Sequence, residues 1–158
     1  MIDLTKFKCC SDIMLELLCV YSIDDYVEDE EVNAEFLKLI DSVEFDLNGT
    51  DDNDDTLLST AAMYPQTLFV VEHLLRKPEI DVNKVNDLGF TAFGNAARWS
   101  NIECVKLLSR DIRTKLSDRD KKLMSDHGCS SFEDLINYLS KNGETMIDTE
   151  TWRIKPKK

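Results

Sequence analysis

The sequence predicts an all-α solenoid, in which pairs of helices follow one another along the chain and stack side by side. The main observation is an internal repeat. Residues 46–48 (DLN) return as residues 81–83 (DVN), and residues 56–58 (TLL) return as residues 91–93 (TAF), in both cases after 35 positions. A fixed period of about 20 to 50 residues is typical of stacked units, each of which needs its neighbours to bury its apolar side.

Each repeat is predicted to contain a turn-containing loop, a short inner helix, a second loop and an outer helix. The alanine pairs at 61–62 and 96–97 favour close packing of the inner helices, because small side chains let helices approach. The leucine pairs at 74–75 and 107–108 give the outer helices an apolar stripe. Val82 and the polar residues up to Gly89 predict an extended loop with a turn, which we call a finger.

These residues resemble the ankyrin-repeat family. The second repeat carries the resemblance best, with residues 86–91 (NDLGFT) at its start and residues 105–108 (VKLL) in its outer helix. The family's Thr-Pro-Leu-His tetrad corresponds to residues 56–59 (TLLS) and 91–94 (TAFG), neither of which keeps the proline or the histidine. Asp54 stands where the family has glycine.

The degraded tetrads lack a hydrogen bond by which the family stabilises the start of the inner helix. The resemblance therefore implies soft repeats of ordinary stability. It also implies that histidine at Ser59 and Gly94, with proline at Leu57 and Ala92, should raise the melting temperature.

We predict one domain over residues 1–143. Its units are a degenerate N-terminal unit at 11–48, two repeats at 49–83 and 84–116, and a terminal unit at 117–143, followed by a tail at 144–158. Ser11 is expected to cap an inner helix, and Ser117 a short helix that ends at Gly128. Ser130 and Glu133 are predicted to form a capping box for the last helix.

The net charge of −12 is concentrated at one end of the chain. Residues 1–60 hold 17 acidic and 3 basic residues, which leaves 14 acidic and 16 basic residues for the remainder. Acidic surface repels nucleic-acid phosphates and attracts basic proteins, so we expect a basic protein partner and no nucleic acid. The alternative is that the surplus acid only keeps the protein soluble.

Location is predicted from hydropathy and cysteine usage. No stretch reaches 18 apolar residues, and the N-terminus lacks the pattern of a signal peptide. Five cysteines without paired spacing fit a reducing compartment. We therefore expect no membrane contact and a cytoplasmic location, which is the host cytoplasm if the chain comes from a pathogen.

Metal binding and catalysis have weak support in the sequence. The acidic run at 51–55 begins like an EF-hand loop, but Thr56 and Ala62 replace the required glycine and glutamate. His127 and Cys129 are close together, yet nothing near them supplies an orienting third group. We therefore predict no metal, no cofactor and no enzyme activity, with an enzyme kept as a less favoured alternative.

The resemblance implies a protein-interaction module that binds through finger tips and inner helices. Such a module would be an adaptor or inhibitor, as in regulators and in viral or bacterial effectors. It would act as a monomer or weak dimer, and a self-associating structural protein is the alternative. The residues that match the family's binding positions are Asp52, Asn53, Asp55, Met63, Tyr64, Asp87, Leu88, Phe90, Arg98 and Trp99.

Overall fold

The structure is a computed structural model, and it describes residues 30–42, 46–142, 147–148 and 153–154. Within these residues the chain consists of helices joined by loops, with one short pair of strands and an isolated bridge between Thr50 and Thr56. The helices are α1 (Glu30–Ser42), α2 (Leu57–Met63), α3 (Leu68–Leu75), α4 (Ala92–Arg98), α5 (Ile102–Arg110), α6 (Asp118–Asp126) and α7 (Phe132–Asn142). Strand β1 (Ile147–Asp148) pairs antiparallel with β2 (Arg153–Ile154). The predicted all-α class is confirmed, and the β pair was not predicted.

The helices stack in two rows. Helices α2, α4 and α6 contact one another in sequence and form the inner row, while α1, α3, α5 and α7 form the outer row. Helix α2 also packs on α3, and α4 on α5. This arrangement follows from the repeat, because each unit offers its apolar side to the next and cannot bury it alone.

One hydrophobic cluster runs from Ile40 in α1 to Leu139 in α7. The alanine pairs at 61–62 and 96–97 lie in it without measurable exposure. Their small side chains permit the close contact of α2 and α4, as the sequence predicts. The outer-helix residues Leu74 and Leu108 are also fully buried.

Helix α1 occupies the outer row, where the sequence predicts the outer helix of a degenerate first unit. Its Phe36 ring meets Phe69 edge-on, with 6.0 Å between ring centroids. At its C-terminal end, Asp41 Oδ1 lies 2.8 Å from both Lys77 Nζ and His73 Nε2. Hydrogen bonds from Lys77 and then His73 lower the pKa of Asp41. The first unit is therefore joined to the next by apolar and polar contacts.

Polar side chains fix where the inner helices begin. The hydroxyl oxygens of Thr56 and Thr91 accept hydrogen bonds from the third residue of α2 and α4, respectively. Ser117 caps α6 as predicted, and Gly128 with a φ of 69° follows that helix. Such capping satisfies backbone N–H groups that have no partner within the helix.

The predicted capping box of the last helix is wrong by one residue. Ser131 Oγ accepts from Asp134 N at 3.1 Å, and Asp134 Oδ2 accepts in return from Ser131 N at 3.0 Å. Asp134 also accepts from both the N–H and the hydroxyl of Ser130. The Asp134 carboxylate thus accepts hydrogen bonds from two successive serines. The residues of the capping box are Ser131 and Asp134 rather than Ser130 and Glu133.

The first repeat has two more residues between its alanine pair and its leucine pair than the second repeat has, and the longer segment forms a turn between α2 and α3. A 3₁₀ helix spans Pro65–Thr67, with proline at its first position, where the missing N–H costs no hydrogen bond. The hydroxyl of Thr67 is a donor to two carbonyl oxygens, and its Oγ1 lies 2.8 Å from that of Ala61 and 2.9 Å from that of Tyr64. The turn thereby fixes Tyr64 at the end of α2.

Asparagine side chains connect one finger to the next. Asn48 Nδ2 donates to the carbonyl of Glu79, and its Oδ1 accepts from Asp81 N, both at 2.8 Å. Asn83 makes the same pair of bonds to the carbonyl of Arg113 and the N–H of Lys115, in the loop between α5 and α6. The repeat of these asparagines therefore has a structural cause, since a side-chain amide can bridge a carbonyl and an N–H as a neighbouring strand would.

The first finger departs from the family at its turn. Asp54 has a φ of 60°, and Gly89 at the equivalent place in the second finger has a φ of 83°. Aspartate tolerates this left-handed conformation better than most residues, which explains how Asp54 replaces glycine here.

Several predicted features lie outside the described residues. These are the helix expected from Ser11, residues 24–29 of the acidic segment at 24–31 that was predicted to be an enlarged loop, and Trp152 of the predicted tail. The division of the chain into a domain and a tail stays a prediction.

Candidate functional site

The tips of the first and second fingers lie together. We define the finger tips as Asp52 and Asn53 of the first finger and Asp87 and Leu88 of the second. All four residues are exposed, and Asp87 N donates to Asn53 O at 3.0 Å, which joins the two tips through the backbone. Leu88 is 52 % exposed. The surface of the finger tips is therefore both acidic and apolar, because the Leu88 side chain is exposed beside those of Asp52 and Asp87.

An aromatic pair lies at the C-terminal ends of the first two inner helices. The rings of Tyr64 and Trp99 have centroids 6.2 Å apart and an interplanar angle of 33°. Both residues and Met63 are partly exposed. Tyr64 and Trp99 cap α2 and α4, so the stacking of these helices is what places the rings side by side. Sequence matching named each residue, and the structure brings them together.

Asp55 is not at a solvated finger tip, and that prediction is wrong. Its side chain is 7 % exposed and lies between the first two repeats. Its Oδ1 accepts hydrogen bonds from Ser59 Oγ, from Asn86 Nδ2 at 3.1 Å and from Asn95 Nδ2 at 3.0 Å. A carboxylate can be buried when donors converge on it in this way. In the sequence, the one feature that sets Asp55 apart from the exposed acidic residues of this run is its position directly before Thr56, which caps α2.

Burial raises the pKa of Asp55, the nearby Asp51 charge adds to this, and the bonds from Ser59, Asn86 and Asn95 oppose it. A folded-state pKa above the unfolded value means that the carboxyl's contribution to stability is full at low pH and is lost as pH rises through the folded pKa.

We therefore expect the free energy of unfolding of the wild type, minus that of Asp55→Asn, to fall as pH rises from about 3 toward 7. Urea unfolding of both proteins across this range measures the difference. Comparison with the exposed Asp52→Asn separates this effect from general acid titration. A difference that stays constant or grows with pH would contradict the prediction.

Phe90 and Arg98 are also buried, at 1 % and 6 % exposure, so the expectation that they present their side chains to a partner is corrected. The Arg98 guanidinium lies over the Phe90 ring, 4.4 Å from its centroid, and Nη1 donates to Asn95 Oδ1 at 3.1 Å. Arg98 Nε is buried without a hydrogen-bond partner among the described residues. Burial is the main reason that the pKa of Arg98 is lowered.

Arg119 belongs to this neighbourhood and was not singled out from the sequence as a site residue. It is exposed on α6, and its guanidinium carbon lies 5.4 Å from the centroid of the Phe90 ring. The positive charge of Arg119 disfavours the charged form of Arg98 and so lowers its pKa, whereas the carboxylates of Asp55 and Asp87 favour that form. Only the packing of the terminal unit brings Arg119 next to the second finger.

Asp120 is a second buried carboxylate, and nothing in the sequence distinguishes it from the exposed charged residues around it. Its side chain has no measurable exposure. Oδ2 accepts from Thr91 Oγ1 at 2.6 Å and from Ser117 N at 3.0 Å, and Oδ1 accepts from Thr91 N at 3.3 Å. Burial outweighs these bonds and raises the pKa of Asp120. Asp120 thus connects the terminal unit to the second repeat.

The two buried carboxylates change the expectation drawn from the degraded tetrads. In the first repeat, Ser59 bonds to Asp55, and in the second, Thr91 bonds to Asp120. The starts of both inner helices are therefore stabilised by a carboxylate rather than by a histidine within the tetrad, and this carboxylate comes from the residue before Thr56 in the first repeat and from the terminal unit in the second.

The groups considered for chemistry have structural partners. His127 is buried, with Nδ1 2.9 Å from the Leu123 carbonyl oxygen and its ring edge-on to Tyr138. Burial raises the pKa of the Cys104 thiol to about 12, which makes it a poor nucleophile near neutral pH. In the part of the chain that the structure describes, no three metal-ligating side chains are grouped to hold an ion. None of the helices described combines the length and apolar character needed to cross a bilayer.

This protein is a helical-repeat solenoid, because its stacked helix pairs are joined by fingers and its inner helices begin at a capping side chain. A family model described as ankyrin repeats, in three copies, matches residues 26–120, which is 95 of the 158 residues. The chain belongs to the ankyrin-repeat family, and the resemblance seen in the sequence is confirmed. Ankyrin repeats are protein–protein interaction modules. A search of curated proteins gave no significant match.

Proposed function

We propose that this protein is an adaptor or inhibitor that binds a basic surface of another protein. The observation that carries the proposal is the position of two features on the same two repeats. The joined finger tips bring acidic side chains to one edge, and Tyr64 and Trp99 form a partly exposed aromatic pair. Acidic and aromatic residues in this combination suit a partner that offers lysine or arginine around an apolar pocket.

The two features would have different roles in binding. Asp52 and Asp87 are exposed, so ion pairs made by them would be screened and would act mainly on the rate of association. Trp99 offers a large apolar area and is already held by its contact with Tyr64, so its ordering would cost little entropy. In this proposal the acids attract the partner and the aromatic pair retains it.

The net charge of −12 supports a basic partner over nucleic acid. We further propose that the protein works in the cytoplasm as a monomer or weak dimer, and that regulators and host-directed effectors are the two settings that fit it. Molecular mass measured over a range of concentrations tests the oligomeric state. A stable dimer that needs Trp99 would favour self-association instead.

The proposal is tested with a partner captured from lysate at low salt and then purified. We expect Trp99→Ala to weaken binding by about 2 kcal/mol, mainly through faster dissociation, because buried aromatic anchors act on complex lifetime. Asp52→Asn combined with Asp87→Asn should slow association at low salt and have little effect at high salt. Binding kinetics at two salt concentrations measure both effects.

Asp126→Asn serves as the charge control, because Asp126 lies on α6 and pairs with Lys122 rather than with the fingers. A thermal melt of each variant shows whether the fold is retained. Unchanged kinetics in well-folded Trp99→Ala and in the double variant would place the binding site elsewhere on the protein.

A further inference from the structure

Asp55 is connected by side-chain hydrogen bonds to the second finger and to Arg98, the residue that precedes Trp99. One chain of bonds leads through Asn86 to the turn of the second finger, and the other leads through Asn95 to the Arg98 guanidinium, which lies over the Phe90 ring. We propose that Asp55 is a positioning residue, which holds the second finger through Asn86 and keeps the Arg98 guanidinium folded inward through Asn95. The inference rests on the proposed function for its meaning in binding, and its test needs no partner.

The first connection runs from Asp55 to the turn of the second finger. Asn86 donates through Nδ2 to Asp55, which orients its amide, and its Oδ1 accepts from Leu88 N at 3.1 Å and from Phe90 N at 3.0 Å. These two bonds close the turn that presents Asp87 and Leu88. An amide that lost its carboxylate acceptor would be free to rotate, so the turn depends on Asp55.

The second connection concerns charge. Arg98 is buried, and its Nη1 donates to Asn95 Oδ1 while the same amide donates to Asp55. The Asp55 carboxylate therefore balances the guanidinium across one side-chain amide. A buried cation without such balance is costly, and a guanidinium on a flexible stem can turn outward to reach water.

The charged groups around Asp55 are few among the described residues. Asp51, whose Oδ1 accepts from Asp55 N, adds negative charge from the first finger, and Arg98 adds positive charge from α4. Asp87 and Arg119 act on Arg98 with opposite signs. Asp55 is thus the buried carboxylate that Asn95 links to the Arg98 guanidinium.

Two variants separate the connections. Asp55→Asn keeps an oxygen that can accept from Asn86 and Asn95 but removes the charge, whereas Asp55→Ala removes both. We expect Asp55→Asn to leave the backbone amides of Leu88 and Phe90 protected from hydrogen exchange and to lower the protection of Arg98 Nε–H at least tenfold. Asp55→Ala should lower the protection of all three groups at least tenfold. Nuclear magnetic resonance measures each site.

The Leu139 amide in α7 serves as the reference for global unfolding, because it reports opening of the core far from Asp55. Asp52→Asn is the matched control, since it makes the same change in charge three residues away and should alter none of the three groups. If Asp55→Ala does not fold, Asp55→Ser, whose hydroxyl has a shorter reach, replaces it.

The proposal is overturned if, in Asp55→Ala, the backbone amides of Leu88 and Phe90 lose no more protection from hydrogen exchange than the Leu139 amide does. It is equally overturned if Arg98 Nε–H keeps its protection in Asp55→Asn. These results are independent of the proposed function, because a failure to bind a basic partner would leave the exchange measurements unchanged.

Discussion

Replacing Gly94 by alanine is expected to destabilise the protein by about 3 kcal/mol or more, although the same change in an exposed helix would stabilise it by about 1 kcal/mol. A Cβ on Gly94 would overlap Asp120 Oδ1 and would lie only 2.8 Å from Phe90 Cδ1 and 3.0 Å from Asp120 Cγ. Asp120 cannot simply move away, because its oxygens accept hydrogen bonds from Thr91 and Ser117. The steric effect therefore exceeds the gain in helix propensity.

Chemical denaturation of Gly94→Ala measures this cost, and a double-mutant cycle with Asp120→Ala tests its cause. With the carboxylate removed, the added methyl group no longer overlaps it, so the two changes together should cost clearly less than the sum of their separate costs. Ser140→Ala on the exposed side of α7 is the control and should change stability by about 0.5 kcal/mol at most. Additive costs would show that Asp120 is not the obstacle.

This expectation reverses the one drawn from the resemblance. Histidine at Gly94 was expected to raise the melting temperature, but its Cβ would meet the same obstacle and its ring would need still more room. We now expect Gly94→His to lower the melting temperature more than Gly94→Ala does.

Removing the carboxylate of Asp120 is expected to cost about 3 kcal/mol. Asp120→Ala leaves the buried N–H and hydroxyl of Thr91 without their acceptor, and it removes the acceptor of the partly buried Ser117 N–H. Each buried donor without a partner costs about 1–3 kcal/mol, and relaxation or entering water offsets part of the total. The terminal unit is attached partly through these bonds, so it should open first.

Asp118→Ala is the matched control, because Asp118 lies in the same first turn of α6 and is fully exposed. It loses an interaction with the helix dipole, of about 0.3–1 kcal/mol, and an exposed ion pair with Lys121, which contributes little at the surface. Urea unfolding compares the two variants, and hydrogen exchange of the α6 amides shows whether this unit opens before α2 and α4. A cost for Asp120→Ala no larger than that for Asp118→Ala would mean that the buried bonds add nothing to stability.

Local and periodic features of this protein could be derived from the sequence. The 35-residue shift and the alanine and leucine pairs predicted the stacked helix pairs, and Ser117 predicted the start of α6, because helix periodicity and capping depend on residues only a few positions apart. The exposed finger tips and the aromatic residues of the candidate site were also named from their places in the repeat. The capping box of α7 was misplaced by one residue, since neighbouring serines offer the same signal.

The tertiary structure alone decided which acidic residues are buried. In the sequence Asp52 and Asp55 are members of one acidic run, and Asp118 and Asp120 of one charged segment. Asp55 meets Asn86 and Asn95 from more than 30 positions away, and Asp120 fills the space left by Gly94 of another unit. A carboxylate becomes stable in the interior only when distant donors converge on it, and no local pattern records that convergence.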